Sequence, residues 1–244
     1  MRIESFGLSD IGLSRLNNED VWAQMPKEQF FVLADGMGGH QAGEVAANET
    51  VIFLCSQIKK VFSPCLSIET WASLLEEGIE KANSWIYELA SKDEELQGMG
   101  TTICACLFLE DRLVYAHVGD SRIYRVRKGR ITPLTEDHSL RAELIAKGKL
   151  EPSKSRSFPR KNVITRAIGT QRMVVPEIDT TEVEEGDLYF LCSDGLTDKL
   201  SDDKILSIIE SAYSLEDAGK ELILAAKMAG SEDNITLLLT QIVN

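Results

Sequence analysis

Three apolar runs that read as β-strands each reach an aspartate: Phe30 to Asp35, Val114 to Asp120 and Leu188 to Asp194. A fourth acid, Asp233, immediately precedes the apolar run Ile235 to Leu239. Strand ends and the loops beside them are where a rigid scaffold presents functional groups. Carboxylates gathered at one end of a sheet repel each other, and desolvating each one unpaired is costly. Divalent cations relieve both problems, so the pattern points to a metal centre built from oxygen ligands alone. Such ligands favour Mg²⁺ or Mn²⁺ over Zn²⁺. Two ions about 4 Å apart can hold phosphate oxygens and turn a bridging water into a nucleophile at neutral pH.

The segment Asp35-Gly36-Met37-Gly38-Gly39-His40 reads as a strand entering a glycine turn and then a helix. It is not a dinucleotide fingerprint, because Gln41 stands where the last glycine belongs, and no Gly-Lys-Ser/Thr follows to make a P-loop. Glycines here allow close backbone approach, and a glycine carbonyl beside a metal-binding aspartate can serve as a further oxygen ligand. A simple tight turn is the competing reading. Asp194-Gly195 repeats the strand–Asp–Gly pattern, while Asp233-Asn234 and Asn18-Glu19-Asp20 add acidic corners.

The elements that must position these groups are short. Residues 2–9 and 30–34 read as strands, and a helix is expected over 44–61. A second helix over 68–91 follows from Trp71, Leu75, Ile79, Ala82, Ile86 and Leu89 recurring every three or four residues. A meander then runs through 101–109, 112–118, 121–127 and 130–134, with a turn at Lys128-Gly129. A short helix is expected near 139–147, then a polar stretch with Pro152 and Pro159. Strands resume near Val163 and at 187–192, and helices near 202–211 and 215–228 precede a last strand over 235–242. Strands joined by short turns favour antiparallel sheets covered by helices over a regular βαβ repeat.

The ordered segments Arg15-x-x-Asn18-Glu19-Asp20, Asp35 to His40, Gly100-Thr101-Thr102, Val118 to Arg122, Thr135-x-Asp137-His138-Ser139, Ile164 to Gly169, Ser193 to Leu196 and Glu232 to Thr236 resemble the motifs of the metal-dependent protein phosphatases. The likeness is to the bacterial branch of the type 2C serine/threonine class. It spans roughly residues 7–242, and eight motifs in order are highly specific.

The resemblance implies an α+β fold, a β-sandwich of two mainly antiparallel sheets flanked by helices in an α-β-β-α arrangement. It implies one catalytic domain over 1–244, with a flap over about 138–166. It implies two Mn²⁺ or Mg²⁺ ions and a third, weaker site. By matching position Asp35 bridges two metals, the Gly36 carbonyl binds one of them, Asp194 and Asp233 bind the other, and Asp120 serves the third. Glu19 and Asp20 bind directly or through water. Arg15 matches the residue that holds the substrate phosphate, where a forked guanidinium suits two oxygens. The implied reaction is attack by a metal-activated water on phosphoserine or phosphothreonine, with no phosphoenzyme. Met37 stands where the eukaryotic branch has a histidine and cannot donate a proton. His40, the bacterial-branch histidine, is a catalytic or positioning candidate beside the alternative of capping its loop. His117 reads as structural, and His138 as ordering the segment after it.

The flap carries Arg141, Lys147, Lys149, Lys154, Arg156, Arg160, Lys161 and Arg166 against Glu143 and Glu151. A basic patch in an acidic chain attracts an acidic, phosphorylated surface; a solvated mobile loop is the equal alternative. The partners implied are phosphorylated proteins and a cognate serine/threonine kinase, with the enzyme working as a monomer. A formal charge of −13 argues against general nucleic-acid binding. Met1 to Arg15 lacks the apolar core of a signal peptide, and no apolar stretch approaches the roughly 18 residues of a membrane span. Five cysteines without a Cys-x-x-Cys pair read as reduced thiols in the cytoplasm, not as a zinc site. Two other readings stay open: a phosphatase-like binding module without catalysis, and a hydrolase of small phosphate esters.

Overall fold

The computed structural model describes residues 2–38, 42–63, 65–151, 154, 158 and 163–243. One sheet has the order β1 (Arg2–Asp10), β11 (Ile235–Val243), β10 (Leu188–Cys192), β7 (Arg122–Arg127), β8 (Arg130–Pro133). The other has the order β2 (Asp20–Met25), β3 (Phe30–Met37), β5 (Ile103–Leu109), β6 (Arg112–Val118), β9 (Glu177–Glu182), with β4 (Gly100–Thr101) pairing on β3. The paired strands run antiparallel.

The strands at the centre of each sheet are apolar on both faces, because each sheet is covered on both sides. In β3, Phe31 and Leu33 face the other sheet, packed with Cys104, Cys106, Tyr189, Leu191 and Leu238. Phe30, Val32 and Ala34 face the helix layer of α1 (Ala42–Val61) and α2 (Ile68–Lys92). On the far side, Phe190 and Cys192 of β10 and Leu237 and Leu239 of β11 pack beneath α5 (Asp202–Ser211) and α6 (Leu215–Met228). The result is the four-layered α-β-β-α sandwich expected. Helix α2 starts on Ser67, whose hydroxyl accepts from Thr70 N, and buries the stripe Trp71, Leu75, Ile79, Ala82 and Ile86. Each buried leucine or isoleucine of the stripe contributes about 1.5–3 kcal/mol. Lys128 and Gly129 take φ of 51° and 70°, the geometry of a tight hairpin turn with both central residues left-handed.

The structure corrects the sequence reading in four places. β3 does not stop at Asp35 but runs on to Met37, pairing Gly36 with Thr101 and Met37 with Gly100. β2 and β9 were not expected. β9, Glu-Ile-Asp-Thr-Thr-Glu, is an edge strand paired only to β6, so one of its sides needs no apolar partner and its composition resembles a loop. Among the described residues near Val163 there is no strand, but an isolated bridge between Ser139, which caps the short helix α3 (Leu140–Ala146), and Ile164 ties the two ends of the flap together.

Candidate active site

Asp20 and Asp35 face each other in the β2–β3 register. The main chain of Asp35 is held from the side. Its N–H donates to Thr102 Oγ1 at 2.9 Å, while its carbonyl accepts from Thr102 N and Thr101 Oγ1, both at 2.8 Å. Gly36 N donates to the Glu19 carbonyl at 3.0 Å. A side chain at Gly36 is excluded, because a Cβ there would lie 2.2 Å from the carbonyl oxygen of Gly43 in the first turn of α1. The glycine is thus required for close approach of the helix, and it leaves the Asp35–Gly36 backbone open at the cleft.

Asp194 opens the short helix α4 (Asp194–Thr197), directly after β10. Its neighbour Ser193 donates to Asp20 Oδ2 at 2.7 Å and accepts from Thr236 N at 3.0 Å, which couples β10, β11 and β2. Asp233 precedes β11. Asn234, the next residue, accepts from Glu19 N at 2.8 Å and donates to the carbonyls of Ile11 and Asn17. One amide side chain therefore ties the loop that carries Arg15 and Glu19 to the Asp233 corner. Arg15 Nη2 reaches Asp233 Oδ2 at 2.8 Å, with both side chains substantially exposed. Arg15, Asp194, Asp233, Asp198, Lys199 and Ser231 line a cleft of about 410 Å³. Asp120 follows Gly119 at the end of β6 and is buried.

The acids thus converge from both sheets. Burial, and then the charges of Asp20, Asp194, Asp120 and Asp233, hold Asp35 well above the ordinary carboxylate range. Asp194 is lifted the same way, by burial first and then by Asp120, Asp198, Asp233 and Asp20. Burial pushes Asp20 to about 6 against hydrogen bonds from Thr236 and Ser193. Asp120 also reaches about 6, from burial first and then Asp137. Burial raises Glu19 as well. Asp20 Oδ1 is buried without a hydrogen-bond partner among the described residues. A buried carboxylate oxygen with an unused lone pair, among acids that repel one another, fits an external cation. The donor set is oxygen throughout, as a hard divalent ion requires.

The sequence-derived residues Arg15, Glu19, Asp20, Asp35, Gly36, Asp120, Asp194 and Asp233 gather in this region. His40 lies outside the described residues, as do Arg156, Arg160 and Lys161 of the flap. Asp198 was not expected. It sits four residues after Asp194, donates its N–H to the Asp194 carbonyl at 2.8 Å and raises the Asp194 pKa. The four-residue spacing was the available signal. The flap's positive charge is smaller than its composition promised. Arg141 pairs with Asp137, Lys147 with Glu143, Lys154 with Glu151 and Arg166 with Glu177. The cysteines are free: Cys104, Cys106 and Cys192 are buried and Cys65 is exposed.

The family described as Protein phosphatase 2C matches residues 6–235. A putative protein phosphatase 2C-type from Streptococcus pyogenes is 40% identical over 235 residues, 95% of this chain and 94% of its own. The S. agalactiae serine/threonine phosphatase superposes with a TM-score of 0.93 at 39% identity, covering 98% of this chain and 99% of that one. The catalytic domain of the serine/threonine protein phosphatase PstP, solved with two manganese ions, gives 0.88 at 33% identity and covers 99% of both chains. Agreement at this length, on a fold and an acidic cleft reached independently, means that the chain belongs to the protein phosphatase 2C family.

Proposed function

We infer that the chain is a metal-dependent serine/threonine protein phosphatase, a single catalytic domain over residues 1–244 with a flap at about 138–166. The observation that carries the reading is the meeting of Asp20, Asp35, Asp120, Asp194 and Asp233, where mutual repulsion and burial raise Asp35 and Asp194, and where Asp20 Oδ1 has no hydrogen-bond partner among the described residues. Asp35, the Gly36 carbonyl, Asp194 and Asp233 would hold two Mn²⁺ or Mg²⁺ ions, Asp120 a third, and Glu19 and Asp20 would contribute directly or through water. When bound, such ions supply an activated water and positive charge for the phosphate oxygens.

The chain's own residues do the rest. Arg15 offers the face of its guanidinium fork not engaged by Asp233 to a phosphate oxygen at the mouth of the cleft. Thr101, Thr102 and Gly36 hold Asp35 on a rigid strand, so its carboxylate stays aimed during turnover. Asn234 fixes the Arg15 loop relative to Asp233, which keeps the phosphate in line with the attacking water. The water oxygen bonds to phosphorus as the bond to the serine or threonine oxygen breaks, and inorganic phosphate leaves. Met37 supplies no proton to the leaving oxygen, so His40 stands as the candidate donor or positioning group.

The substrates are phosphorylated proteins, which a serine/threonine kinase must supply. No helix among the described residues is long and apolar enough to cross a membrane. Free thiols, one of them exposed at Cys65, support a reducing cytoplasmic setting.

The test is phosphate release from a phosphothreonine peptide with Mn²⁺, Mg²⁺ or chelator, for wild type and Asp194→Asn. Turnover that requires the metal and falls at least about a thousandfold in the variant is expected. No turnover by a folded, Mn²⁺-loaded protein would shift the reading to a phosphoprotein-binding module. Faster turnover of small phosphate esters than of peptide would shift it to a metabolite hydrolase.

A further inference from the structure

At the foot of the flap, His138 meets the turn that carries Asp120. The two residues grip each other reciprocally. His138 N donates to the Gly119 carbonyl at 2.8 Å, and Gly119 N donates back to His138 Nδ1 at 3.1 Å. Gly119 has φ of +108°, and a Cβ there would meet Thr102 Cγ2 at 2.6 Å. Its peptide is thus wedged between Thr102, which holds Asp35, and His138. The residue it aims is Asp120.

His138 also belongs to the flap's stem. Its carbonyl accepts from Thr165 N at 2.8 Å, and Leu140 N donates to the Val163 carbonyl at 2.8 Å. Its outer ring nitrogen, Nε2, lies 3.1 Å from Glu177 Oε1. That same carboxylate oxygen takes Arg166 Nη1, from the returning arm of the flap, at 2.9 Å.

His117, His138 and Glu177 bring one nitrogen or oxygen each into a small volume, which invites a metal-site reading. The chemistry of the ring rules against it. Burial and the neighbouring His117 and Arg166 push His138 down to about 4, so it is neutral near pH 7. A neutral imidazole has one lone pair, and the Gly119 N–H occupies it at Nδ1. Nε2 must then carry the hydrogen, and Glu177 Oε1, 3.1 Å away, is the acceptor beside it. Arg166 Nη1, itself only a donor, lies 3.1 Å from Nε2, donates to Glu177 at 2.9 Å and fills the position an ion would need. His117 is stacked on His138 with ring centroids 4.3 Å apart and donates from Nε2 to the Glu136 carbonyl at 2.9 Å, which keeps the His138 ring from turning.

We propose that His138 is a positioning residue for Asp120, and that Glu177, held by Arg166 at the foot of the flap, sets its tautomer and so couples flap seating to the weakest metal site. Glu177 holds the hydrogen on Nε2, which keeps Nδ1 open to accept from Gly119. Partners one shell outside a metal ligand commonly change affinity tenfold or more. The inference rests on the assignment of Asp120 as a ligand.

The experiment is calorimetric Mn²⁺ titration of the full chain, with no substrate present. Asp120→Asn first identifies the binding step that depends on Asp120. His138→Gln keeps a donor near the Nε2 position but cannot accept from Gly119. His138→Asn places an amide oxygen near Nδ1 but cannot reach Glu177. The Gln variant is expected to weaken the Asp120-dependent step about tenfold, and the Asn variant to keep it within about twofold. Glu177→Ala, a half-exposed side chain, is expected to weaken that step about threefold in the wild-type background and not at all beside His138→Asn. Equal effects of Gln and Asn, or none, would overturn the proposal. Should the histidine variants not fold, hydrogen exchange at the Gly119 amide decides: faster exchange in Glu177→Ala supports the coupling, and unchanged exchange overturns it. If Asp120→Asn binds Mn²⁺ as wild type does, Asp120 is no ligand and the proposal falls. Loss of the tight steps in Asp194→Asn would in that case leave the phosphatase reading standing.

Discussion

Two groups of buried acids in this molecule have opposite fates. In the cleft, Asp20, Asp35, Asp120 and Asp194 are raised above the usual carboxylate range, because burial and mutual repulsion act together. By contrast Asp137, which lies near enough to Asp120 to raise it, and Asp187 are themselves lowered despite burial. Asp137 receives Arg122 Nε at 2.7 Å and Nη2 at 2.8 Å, and Arg141 Nη2 at 2.9 Å. Asp187 receives Arg127 through two bonds of 2.6 Å, together with Glu184 N and the Tyr189 hydroxyl. The fold neutralises its structural acids with its own arginines. It leaves the cleft acids short of cations, with Arg15 alone reaching Asp233. A protein that had to be stable without a ligand would not concentrate charge in this way. The contrast separates acids that hold the fold from acids that await an ion.

The sharpest way to break that contrast is to remove one carboxylate from the cleft. Asp35→Asn should abolish metal-dependent phosphatase activity, by at least about a thousandfold, yet raise the chelated protein's melting temperature. A melting temperature that fell in chelator would show that Asp35 holds the fold after all. The mirror experiment is Arg122→Met. It leaves Asp137 with Arg141 alone in a largely buried setting and should cost about 3 kcal/mol in urea unfolding. An unchanged midpoint would mean that this pair is dispensable. Arg15 lies between the two groups, an exposed arginine on a cleft acid. Arg15→Lys keeps the charge but loses the fork, and should raise KM for a phosphopeptide about tenfold with a smaller change in kcat. Equal loss in both constants would point to a transition-state role instead.

The smallest expected effect is on pH. The cleft carboxylates are raised in the folded state, so without metal the protonated form favours folding. That contribution is present in full below the unfolded value of about 3.8 and is lost as pH rises through about 6 for Asp20 and Asp120. Asp137 and Asp187 have the opposite sign. Their stabilisation is present above about 3.8 and is lost only as pH falls through their lowered values. In chelator the melting temperature should therefore decline by a few degrees from pH 5 to 7.5, and Mn²⁺ should restore most at the higher pH. A flat chelated profile would show that the cleft acids do not repel in the folded protein.

The acids that the structure gathers in the cleft were legible in the sequence because the signals that mark them are local. A buried strand announces itself by a run of apolar residues, and an aspartate followed by glycine at its end is visible without any partner. Asp35 and Asp194 needed only that, and Asp233 stood out as an acid immediately before an apolar run. Asp198 was missed although its spacing from Asp194 spoke for it, because a four-residue interval means little until a helix is known to begin at Asp194. β9 was missed because an edge strand with polar composition has no local signature.

That Asp35, Asp120 and Asp194 end apolar strands and Asp233 precedes one, a pattern suited to oxygen ligation of a hard cation, followed from the amino-acid sequence by itself, since residue type and backbone periodicity are properties of short stretches. Pairing did not follow. That Asp20 faces Asp35, that the flap's described arginines are tied to Asp137 and Glu177, and that His138 holds the turn before Asp120 were decided only by the tertiary structure. Those contacts join residues distant along the chain, and a carboxylate's charge state depends on which cation the finished fold brings to it.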